Sequence, residues 1–353
     1  MSLRFQRREQ ASWRVELGVH LAAVLVAALA GCALFALAGA PPLEALWMLV
    51  KEPLGSAFGF SETLVKTVPL AFCALAVALA LKIDLWNIGA EGQLFMGAFA
   101  GSWLALHGPA LPGPLRVPSI LLIGALAGAV WAVVPGLLKV YGRVNEIIST
   151  LMLNYVAIAW VELFVYGPWK GADGFPYTSL FEEGWRLPLV YRRVHAGLVL
   201  VVVLAALLWW IERRTALGYE VRMAGASPAA ARYAGIPVPS RLILVMAVAG
   251  AAAGLAGVCE VAGVEHRLHA GISPGYGYTA IIIAFLARKN LLASIAVAFL
   301  FAALAVGGEG VQVSFPGVSS AVVQVFQGLL LLLVLAGGVL TRYRLVRVGE
   351  GRS

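Results

Sequence analysis

The sequence contains too little charge for a soluble protein of its size. Charged residues make up only 12% of the 353 residues, whereas hydrophobic residues make up 61%, and the mean hydropathy is +0.88. Soluble domains carry about 25% charged residues, so these values exclude a water-soluble fold. They also exclude disorder, which requires low hydrophobicity and high charge. The composition therefore indicates a polytopic membrane protein.

Cysteine is scarce, and the sequence lacks the motifs of common catalytic sites. Cys32, Cys73 and Cys259 lie inside apolar runs without a Cys-x-x-Cys spacing, which indicates buried free thiols rather than zinc ligands or disulfides. A phosphate-binding loop of the form Gly-x-x-x-x-Gly-Lys-Ser/Thr is absent. Residues 271–275 match Gly-x-Ser-x-Gly, but Pro274 removes the backbone donor that an oxyanion hole would use. We therefore expect no catalytic residue, no metal site and no cofactor in this chain.

Long apolar runs predict an all-α membrane protein. A membrane-spanning helix needs about 20 mostly apolar residues. Ten segments are assigned as spans: 17–39, 64–81, 87–106, 117–138, 147–166, 196–211, 242–263, 275–287, 291–306 and 319–340. Two of them, 275–287 and 291–306, are short enough to be broken or re-entrant helices, but the simpler interpretation, which we favour, is two tilted or partly buried helices.

The distribution of positive charge predicts the orientation in the membrane. Ten spans place both termini on one side, and an inner location gives the inner side more than twice as many Lys and Arg residues as the outer side. Cytoplasmic loops carry such an excess, so residues 1–16 and 341–353 are predicted to be cytoplasmic. Residues 17–340 then form the transmembrane domain. The net charge of +8 therefore requires no nucleic acid partner.

Glycine pairs at a spacing of four indicate close helix packing. Gly97/Gly101, Gly124/Gly128 and Gly250/Gly254 each form a Gly-x-x-x-Gly motif, which lets helix backbones approach closely in lipid. We expect these pairs to pack helices within the chain, and an interface between subunits is the alternative.

The predicted inner loop 212–241 contains a short, capped helix. Ser227 is a good N-cap and Pro228 suits the first helical position, while Gly235 can adopt the left-handed conformation that ends a helix. Pro237 prevents continuation. The helix is predicted to project into the cytoplasm with little apolar surface to bury against its own chain, as a docking element would. A helix lying on the membrane surface is the alternative.

Polar residues inside predicted spans are candidates for a solute pathway. Asn87 and Glu91 are four residues apart, so within the predicted span 87–106 they would share one helical face. Glu146, Thr150 and Asn154 repeat this spacing in the segment around the fifth span. The two stripes could line a hydrophilic path, or they could form hydrogen bonds that hold the helix bundle together.

Four stretches of the sequence resemble a known family. Residues 87–94 (NIGAEGQL), 145–155 (NEIISTLMLNY), 218–228 (GYEVRMAGASP) and 275–281 (GYGYTAI) are similar to the permeases of bacterial ABC importers that include the ribose and branched-chain amino-acid permeases. The nearest branch is that of the nucleoside, or simple-sugar-like, ABC transporter permeases. The resemblance covers roughly residues 60–340.

This resemblance implies a permease subunit of an ATP-driven importer in the bacterial cytoplasmic membrane. ATP and Mg²⁺ would bind a separate cytoplasmic ATP-binding subunit. A second, non-identical permease subunit and an extracytoplasmic substrate-binding protein would complete the machine, and nucleosides or related sugar-like solutes would cross by alternating access. An ion-coupled secondary transporter of small polar solutes is the alternative, because polar stripes and short helices fit it equally well.

Within this family the helix at 227–235 corresponds to a coupling helix that docks on the ATPase. The outer loop 167–195 is expected to help receive the binding protein. Candidates for the docking role lie in and before the coupling helix: Glu220, Arg222, Ser227, Pro228, Arg232, Tyr233 and Gly235.

Overall fold

The protein is mostly helical, as the apolar runs predict. The computed structural model describes residues 2–7, 13–171 and 173–348. Its helices are α1 (Trp13–Leu37), α2 (Pro42–Leu54), α3 (Ala57–Ala80), α4 (Ala90–His107), α5 (Gly113–Val140), α6 (Glu146–Tyr166), α7 (Gly197–Arg214), α8 (Ala216–Ala226), α9 (Pro228–Tyr233), α10 (Val238–Glu260), α11 (Tyr276–Leu286), α12 (Leu291–Ser314) and α13 (Ser320–Arg342). Two 3₁₀ turns, Leu81–Ile83 and Glu183–Trp185, and a π-helical turn, Val261–Glu265, complete the helical structure. Helices satisfy their own backbone hydrogen bonds, which a lipid environment requires.

Two short antiparallel strand pairs accompany the helices. Strand β1 (Ser2–Arg7) pairs with β4 (Tyr343–Val348), and β2 (Leu189–Tyr191) pairs with β3 (Val194–His195). These strands were not predicted, although the segment SLRFQR alternates polar and apolar residues with the period of a strand. The predicted cytoplasmic segments 1–16 and 341–353 lie partly outside the described residues.

The chain divides into two compact units, of which one comprises residues 60–302. In this unit α4, α5 and α10 pack directly through their glycines. A Cβ atom added at Gly97 would lie 2.3 Å from the carbonyl oxygen of Gly254, and one added at Gly128 would lie 2.2 Å from that of Gly250. The Gly-x-x-x-Gly motifs therefore pack helices within the chain, and that prediction is confirmed.

The other unit combines residues 1–59 with residues 303–353. Its core is formed by apolar side chains from the first two helices, from the end of α12 and from α13. The rings of Phe35 and Phe326 lie at its centre, with their centroids 5.8 Å apart. Gly307 allows close contact with α2, because a Cβ atom there would lie 2.5 Å from the carbonyl oxygen of Leu49.

Each of the ten predicted segments coincides with a helix, but these helices differ in their ability to cross a membrane. Among the described residues, five helical segments are long and apolar enough to span: Ala57–Ile83, Gly113–Val140, Glu146–Tyr166, Val238–Glu265 and Leu291–Ser314. A sixth span results if Leu21–Leu37 and Pro42–Leu54, which meet at 115°, are counted as one broken span. The structure is therefore that of a polytopic membrane protein.

Several helix boundaries differ from the predicted ones. The helix expected at 64–81 begins earlier, at Ala57. The polar residues Ser61 and Thr63 lower the hydropathy of this stretch, and both are buried in the protein. The segment predicted as 291–306 continues to Ser314, so α12 is not short. The segment predicted as 275–287 is short, since α11 contains only 11 residues.

Candidate functional site

The most polar buried region of unit 60–302 surrounds the start of α4. The chain leaves α3 through the 3₁₀ turn and forms an irregular segment before α4 begins at Ala90. In this segment the side-chain oxygen of Asn87 accepts a hydrogen bond from the amide of Gly89 at 3.1 Å. The carboxamide of Asn87 also pairs with that of Gln93 through two hydrogen bonds of 2.9 and 3.1 Å. Both side chains are buried, so this amide pair fixes the turn that precedes α4.

Glu91, in the first turn of α4, contacts the start of a second helix. Its carboxylate accepts a hydrogen bond from the amide of Gly277 at 2.6 Å, and only 2% of the residue is exposed. The hydroxyl of Ser273 accepts from the amides of Gly275 and Tyr276 at 3.2 and 3.0 Å. Free amides at a helix N-terminus need acceptors and favour negative charge. Ser273 and Glu91 together accept from three successive amides at the start of α11, those of Gly275, Tyr276 and Gly277.

Asn154 of α6 joins these two helix starts. Its side-chain oxygen accepts from the amide of Gly92 at 2.8 Å, and its side-chain nitrogen donates to the carbonyl of Ile88 at 2.9 Å. The same nitrogen lies 3.4 Å from the hydroxyl of Tyr278. Asn154 is fully buried, so one side chain supplies partners for backbone groups that would otherwise be unpaired inside the bundle.

We call this arrangement the helix-start cluster and define it by seven residues: Asn87, Glu91, Gln93, Asn154, Ser273, Gly277 and Tyr278. Here the N-termini of α4 and α11 meet around one carboxylate. Because α11 has 11 residues, it is about 16 Å long, roughly half the thickness of the hydrocarbon core of a bilayer. Irregular backbone of this kind occurs in membrane proteins where it is buried in protein or lines a cavity.

The structure brings together three of the five predicted pathway residues. Asn87, Glu91 and Asn154 belong to the helix-start cluster, and Thr150 lies beside it, since a Cβ atom added at Gly89 would lie 3.1 Å from the Cβ of Thr150. The Thr150 hydroxyl donates to the carbonyl of Glu146 at 2.6 Å. Glu146 itself forms an ion pair with Lys139 at 2.5 Å, so its carboxylate is engaged at the junction of α5 and α6.

The prediction that Asn87 and Glu91 share a helical face is wrong. Asn87 precedes α4, because its side chain binds the amide of Gly89 and the carboxamide of Gln93. Asparagine side chains compete with helical hydrogen bonds in this way. Three further residues of the cluster, Gln93, Ser273 and Tyr278, were not among the predicted pathway residues. Ser273 lies in the rejected Gly-x-Ser-x-Gly motif, and a serine followed by Pro and Gly is typical of a turn in which the hydroxyl accepts from backbone amides shortly after it.

The inner segment 212–241 forms two helices, α8 and α9. The predicted capping of α9 is confirmed: the Ser227 hydroxyl accepts from the amide of Ala230 at 3.3 Å, Pro228 is the first helical residue, and Gly235 has a φ of +79°. Thr215 caps α8 in the same manner, with its hydroxyl accepting from the amide of Gly218 at 3.2 Å. Helix α8 was not predicted as a separate element.

The prediction that α9 buries little apolar surface against its own chain is confirmed, since one of its six residues, Ala231, is buried and the other five are exposed. Ala231 is fully buried and belongs to a hydrophobic cluster with Ile236, Ala80, Ile83 and Leu85. A six-residue helix is too short to be stable alone, so this contact holds α9 in place. The opposite side of α9 faces outward.

The predicted docking residues fall into two groups. Arg232 and Tyr233 are exposed, and Tyr233 has 98% of its surface accessible. Glu220 instead forms an ion pair with Arg241, and Arg222 donates to the carbonyl of Glu212. Arg232 and Tyr233 are therefore presented at the surface, whereas Glu220 and the likewise exposed Arg222 have partners within the segment 212–241.

The predicted outer loop 167–195 is fastened to the segment that follows α10. Backbone amides of Thr178, Phe181 and Leu187 donate to the carbonyls of Leu268, His266 and Ala262 at 2.8 to 2.9 Å. His195, at the end of this loop, is fully buried, and its Nδ1 accepts from the amide of Gly197 at 3.1 Å. Burial lowers the pKa of His195 to about 4, and the nearby His266 adds to this effect. His195 is consequently neutral at physiological pH.

Comparison with known proteins gives a family and several relatives. Residues 59–335 match the family described as branched-chain amino acid transport system / permease component. A glucose ABC transporter permease of Haloferax volcanii is 38% identical over 352 residues, which cover 96% of this chain and 92% of that protein. No solved structure matches the chain.

Two further relatives carry names that refer to nucleosides. A guanosine ABC transporter permease of Bacillus subtilis is 31% identical over 329 residues, covering 90% of this chain and 92% of that protein. A nucleoside ABC transporter permease of Lactococcus lactis is 30% identical over 304 residues, covering 83% of this chain and 84% of that protein.

Proposed function

The chain belongs to the family of permease components of branched-chain amino acid transport systems, and from this premise we propose that it translocates nucleosides or related sugar-like solutes. It is a permease subunit of an ABC importer, and ATP is hydrolysed by a separate subunit. The proposed solute class rests on the relatives, whose names refer to glucose, guanosine and nucleosides. These solutes share a hydroxyl-rich sugar.

The proposed machine contains several chains. ATP and Mg²⁺ act on a cytoplasmic ATP-binding subunit, an extracytoplasmic binding protein delivers the solute, and a second, non-identical permease subunit completes the pathway. The exposed Arg232 and Tyr233 of α9 contact the ATP-binding subunit, and the outer loop 167–195 helps to receive the binding protein. The exposure of Tyr233, which is 98% accessible although aromatic, supports the docking role, because aromatic and arginine side chains are enriched at protein interfaces.

We place this permease in the bacterial cytoplasmic membrane with ten spans and both termini inside. The transmembrane permease domain is 17–340, between the cytoplasmic segments 1–16 and 341–353. The bias of Lys and Arg supports this orientation. The five helical segments that meet the length and hydropathy requirement are supplemented in this proposal by shorter or more polar helices, of which α4 is largely buried by its neighbours.

The helix-start cluster is the proposed gate of the solute pathway. The observation that carries this assignment is the meeting of two helix N-termini, those of α4 and α11, around Glu91. In membrane transporters, discontinuous helices of this kind form solute sites near the middle of the bilayer. Asn87, Glu91 and Asn154 line the gate, and Thr150 and Glu146 extend it along α6. ATP-driven alternating access opens it to one side at a time.

Uptake by the reconstituted complex tests the proposed function. Proteoliposomes that contain the permease with its partner subunits and binding protein are supplied with labelled guanosine, uridine or glucose, with and without internal ATP. We expect accumulation of at least one of these solutes only with ATP. A non-hydrolysable ATP analogue is the matched control. Uptake that persists without ATP and follows an imposed ion gradient would instead identify a secondary transporter.

A further inference from the structure

The 3₁₀ turn at Leu81–Ile83 receives contacts from three separate segments of the chain. The ammonium group of Lys82 forms an ion pair with Glu212, at the end of α7, over 2.5 Å. A Cβ atom added at Gly225 of α8 would lie 2.1 Å from the carbonyl oxygen of Lys82, so the α8 backbone touches the turn directly. The ammonium group of Lys289 donates to the carbonyl of Leu81 at 3.1 Å. The turn is therefore a junction between the cytoplasmic helices and the segment after α11.

The same turn is connected to both helix starts of the proposed gate. On one side the chain runs directly from the turn to Asn87 and α4. On the other side Lys289 follows the last turn of α11, and its amide donates to the carbonyl of Ala284 at 2.9 Å. The ring centroids of Trp86, between the turn and α4, and Phe285, near the end of α11, lie 5.2 Å apart, so these two segments also contact each other directly. The hydrogen bond between Glu91 and Gly277 closes the ring of contacts at the gate.

The ion pair between Lys82 and Glu212 fixes the position of the 3₁₀ turn relative to the end of α7. The exposed fractions of the two side chains are only 18% and 11%, so both are shielded from solvent and each depends on the other for a charged partner. The neighbouring hydrophobic cluster, which includes Ile83, Val221 and Ala231, also joins the turn to α8 and α9. Apolar contacts are non-directional, whereas a short ion pair fixes the position of one segment relative to another.

We propose that Lys82 and Glu212 are positioning residues that make α4 and α11 move as one unit with the segment 212–241. This inference rests on the proposed function, because that segment carries the residues assigned to ATPase docking. A displacement of α8 and α9 reaches the 3₁₀ turn through Glu212 and Gly225. It passes from there to the start of α4 along the chain and to α11 through Lys289. The starts of α4 and α11, which form the proposed gate, then both respond to a displacement of α8 and α9.

The test compares coupling with assembly in the full complex, reconstituted with the ATP-binding subunit, the second permease subunit and the binding protein. The variants are Lys82→Met, Glu212→Gln and the exchanged pair Lys82→Glu/Glu212→Lys. Arg213→Met is the matched control, since Arg213 is exposed, adjoins Glu212 and contacts only the Trp209 ring among the interactions described for it. ATPase association, basal ATPase rate, solute-stimulated ATPase rate and uptake are measured for each.

We expect each single variant to keep ATPase association within about twofold of wild type and to lower the ratio of stimulated to basal ATPase rate about fivefold or more. The exchanged pair is expected to recover at least about half of that ratio, as coupled partners do in a double-mutant cycle. Lys82→Arg keeps the charge and should retain the ratio, which separates positioning from a general loss of folding. Arg213→Met should match wild type.

The outcomes separate the two proposals. Tyr233→Ala is expected to weaken ATPase association itself, and intact association in that variant would count against the docking assignment. Unchanged stimulation in Lys82→Met and Glu212→Gln would overturn the positioning role even if docking is correct. A loss in the single variants that neither Lys82→Arg nor the exchanged pair relieves would also overturn it.

Discussion

The carboxylate of Glu91 is placed to satisfy a backbone group of another helix. Its partner, the amide of Gly277, is buried, and the distance between the two atoms is 2.6 Å. A backbone amide that loses its acceptor inside a membrane protein has no water to replace it. The acceptor oxygen, rather than the negative charge alone, therefore determines how much Glu91 contributes to stability.

Replacing Glu91 by Gln or by Leu tests this role. Gln keeps an acceptor oxygen of the same reach, whereas Leu leaves the amide of Gly277 unpaired at a cost of about 1–3 kcal/mol. We expect Glu91→Leu to lower the thermal unfolding midpoint in detergent and to accelerate hydrogen exchange at Gly277, and Glu91→Gln to do neither. Equal destabilisation by both variants would show that the charge, and not the acceptor, is required. Uptake by Glu91→Gln then reports whether translocation needs the charge.

His195 makes the stability of the outer loop dependent on pH. Burial lowers its pKa to about 4 in the folded protein, whereas an unfolded histidine titrates near 6.5. The unfolded state therefore binds the proton first, and stability falls as the pH drops from about 6.5 towards 4. Burial and the charge of Arg186 also lower the pKa of His266, which acts in the same direction. The His195 shift alone corresponds to a loss of about 3 kcal/mol at low pH.

Thermal unfolding between pH 7.5 and pH 4 checks this expectation. His195→Asn removes the titration but keeps a side-chain acceptor for the amide of Gly197, which lies 3.1 Å from Nδ1 of the histidine. We expect a smaller decrease of the unfolding midpoint with falling pH in this variant than in the wild type. Curves that run parallel over the whole range would show that another group carries the dependence.

Among the elements, α4, α5 and α10 depend on glycine for their contact. A side chain at Gly128 would collide with backbone atoms of α10, the nearest of them the carbonyl oxygen of Gly250 at 2.2 Å. Gly136 lies two turns further along α5, and there the nearest atoms are side-chain carbons of Met246 at 3.5 Å. Backbone cannot give way as a flexible side chain can, so the two positions should differ although both are buried helical glycines.

Alanine substitution at these two positions tests the packing. Gly128→Ala is expected to destabilise the protein by about 1–3 kcal/mol, the range seen when a packed core is overfilled. Gly136→Ala is expected to be neutral or slightly stabilising, because alanine is the better helix former. Unfolding midpoints of the purified variants, measured in the same detergent, give the comparison. A similar loss in both variants would indicate that glycine flexibility, rather than close approach, is the property required at Gly128.

Local signals in the sequence predicted these elements better than they predicted the site. The cap of α9 follows from Ser227, Pro228 and Gly235, and the glycine pairs predict helix contact, because these signals lie within a few residues of one another. The start of α4 could not be predicted in this way, since hydropathy allows a helix from Asn87, whereas the hydrogen bonds of its side chain to Gly89 and Gln93 hold it outside the helix. The contact between Glu91 and Gly277 joins residues 186 positions apart, so no local pattern reveals it.

The charge pattern is consistent with ten spans, whereas five of the described helical segments, or six with the bent pair, are long and apolar enough to cross a membrane. Helix α7 (Gly197–Arg214) has 18 residues and ends in Arg213 and Arg214, and it does not meet the length and composition requirement that five other helical segments meet. Its apolar part, residues 197–211, is about 22 Å long. The proposed topology requires α7 to cross the membrane. The crossing is compatible with its length, because the two arginines can extend towards the headgroups.

Cysteine labelling on both sides of the membrane tests this crossing. Native Cys32, Cys73 and Cys259 are replaced by Ala, and single cysteines are introduced at exposed positions as Tyr141→Cys, Phe175→Cys and Tyr233→Cys. In the proposed topology α6 separates residues 141 and 175, and α7 separates residues 175 and 233. We expect a membrane-impermeant maleimide to label residue 175 in right-side-out vesicles and residues 141 and 233 only in inside-out vesicles. Labelling of residues 175 and 233 from the same side would exclude α7 as a span and would place α9 on the side opposite to the ATP-binding subunit.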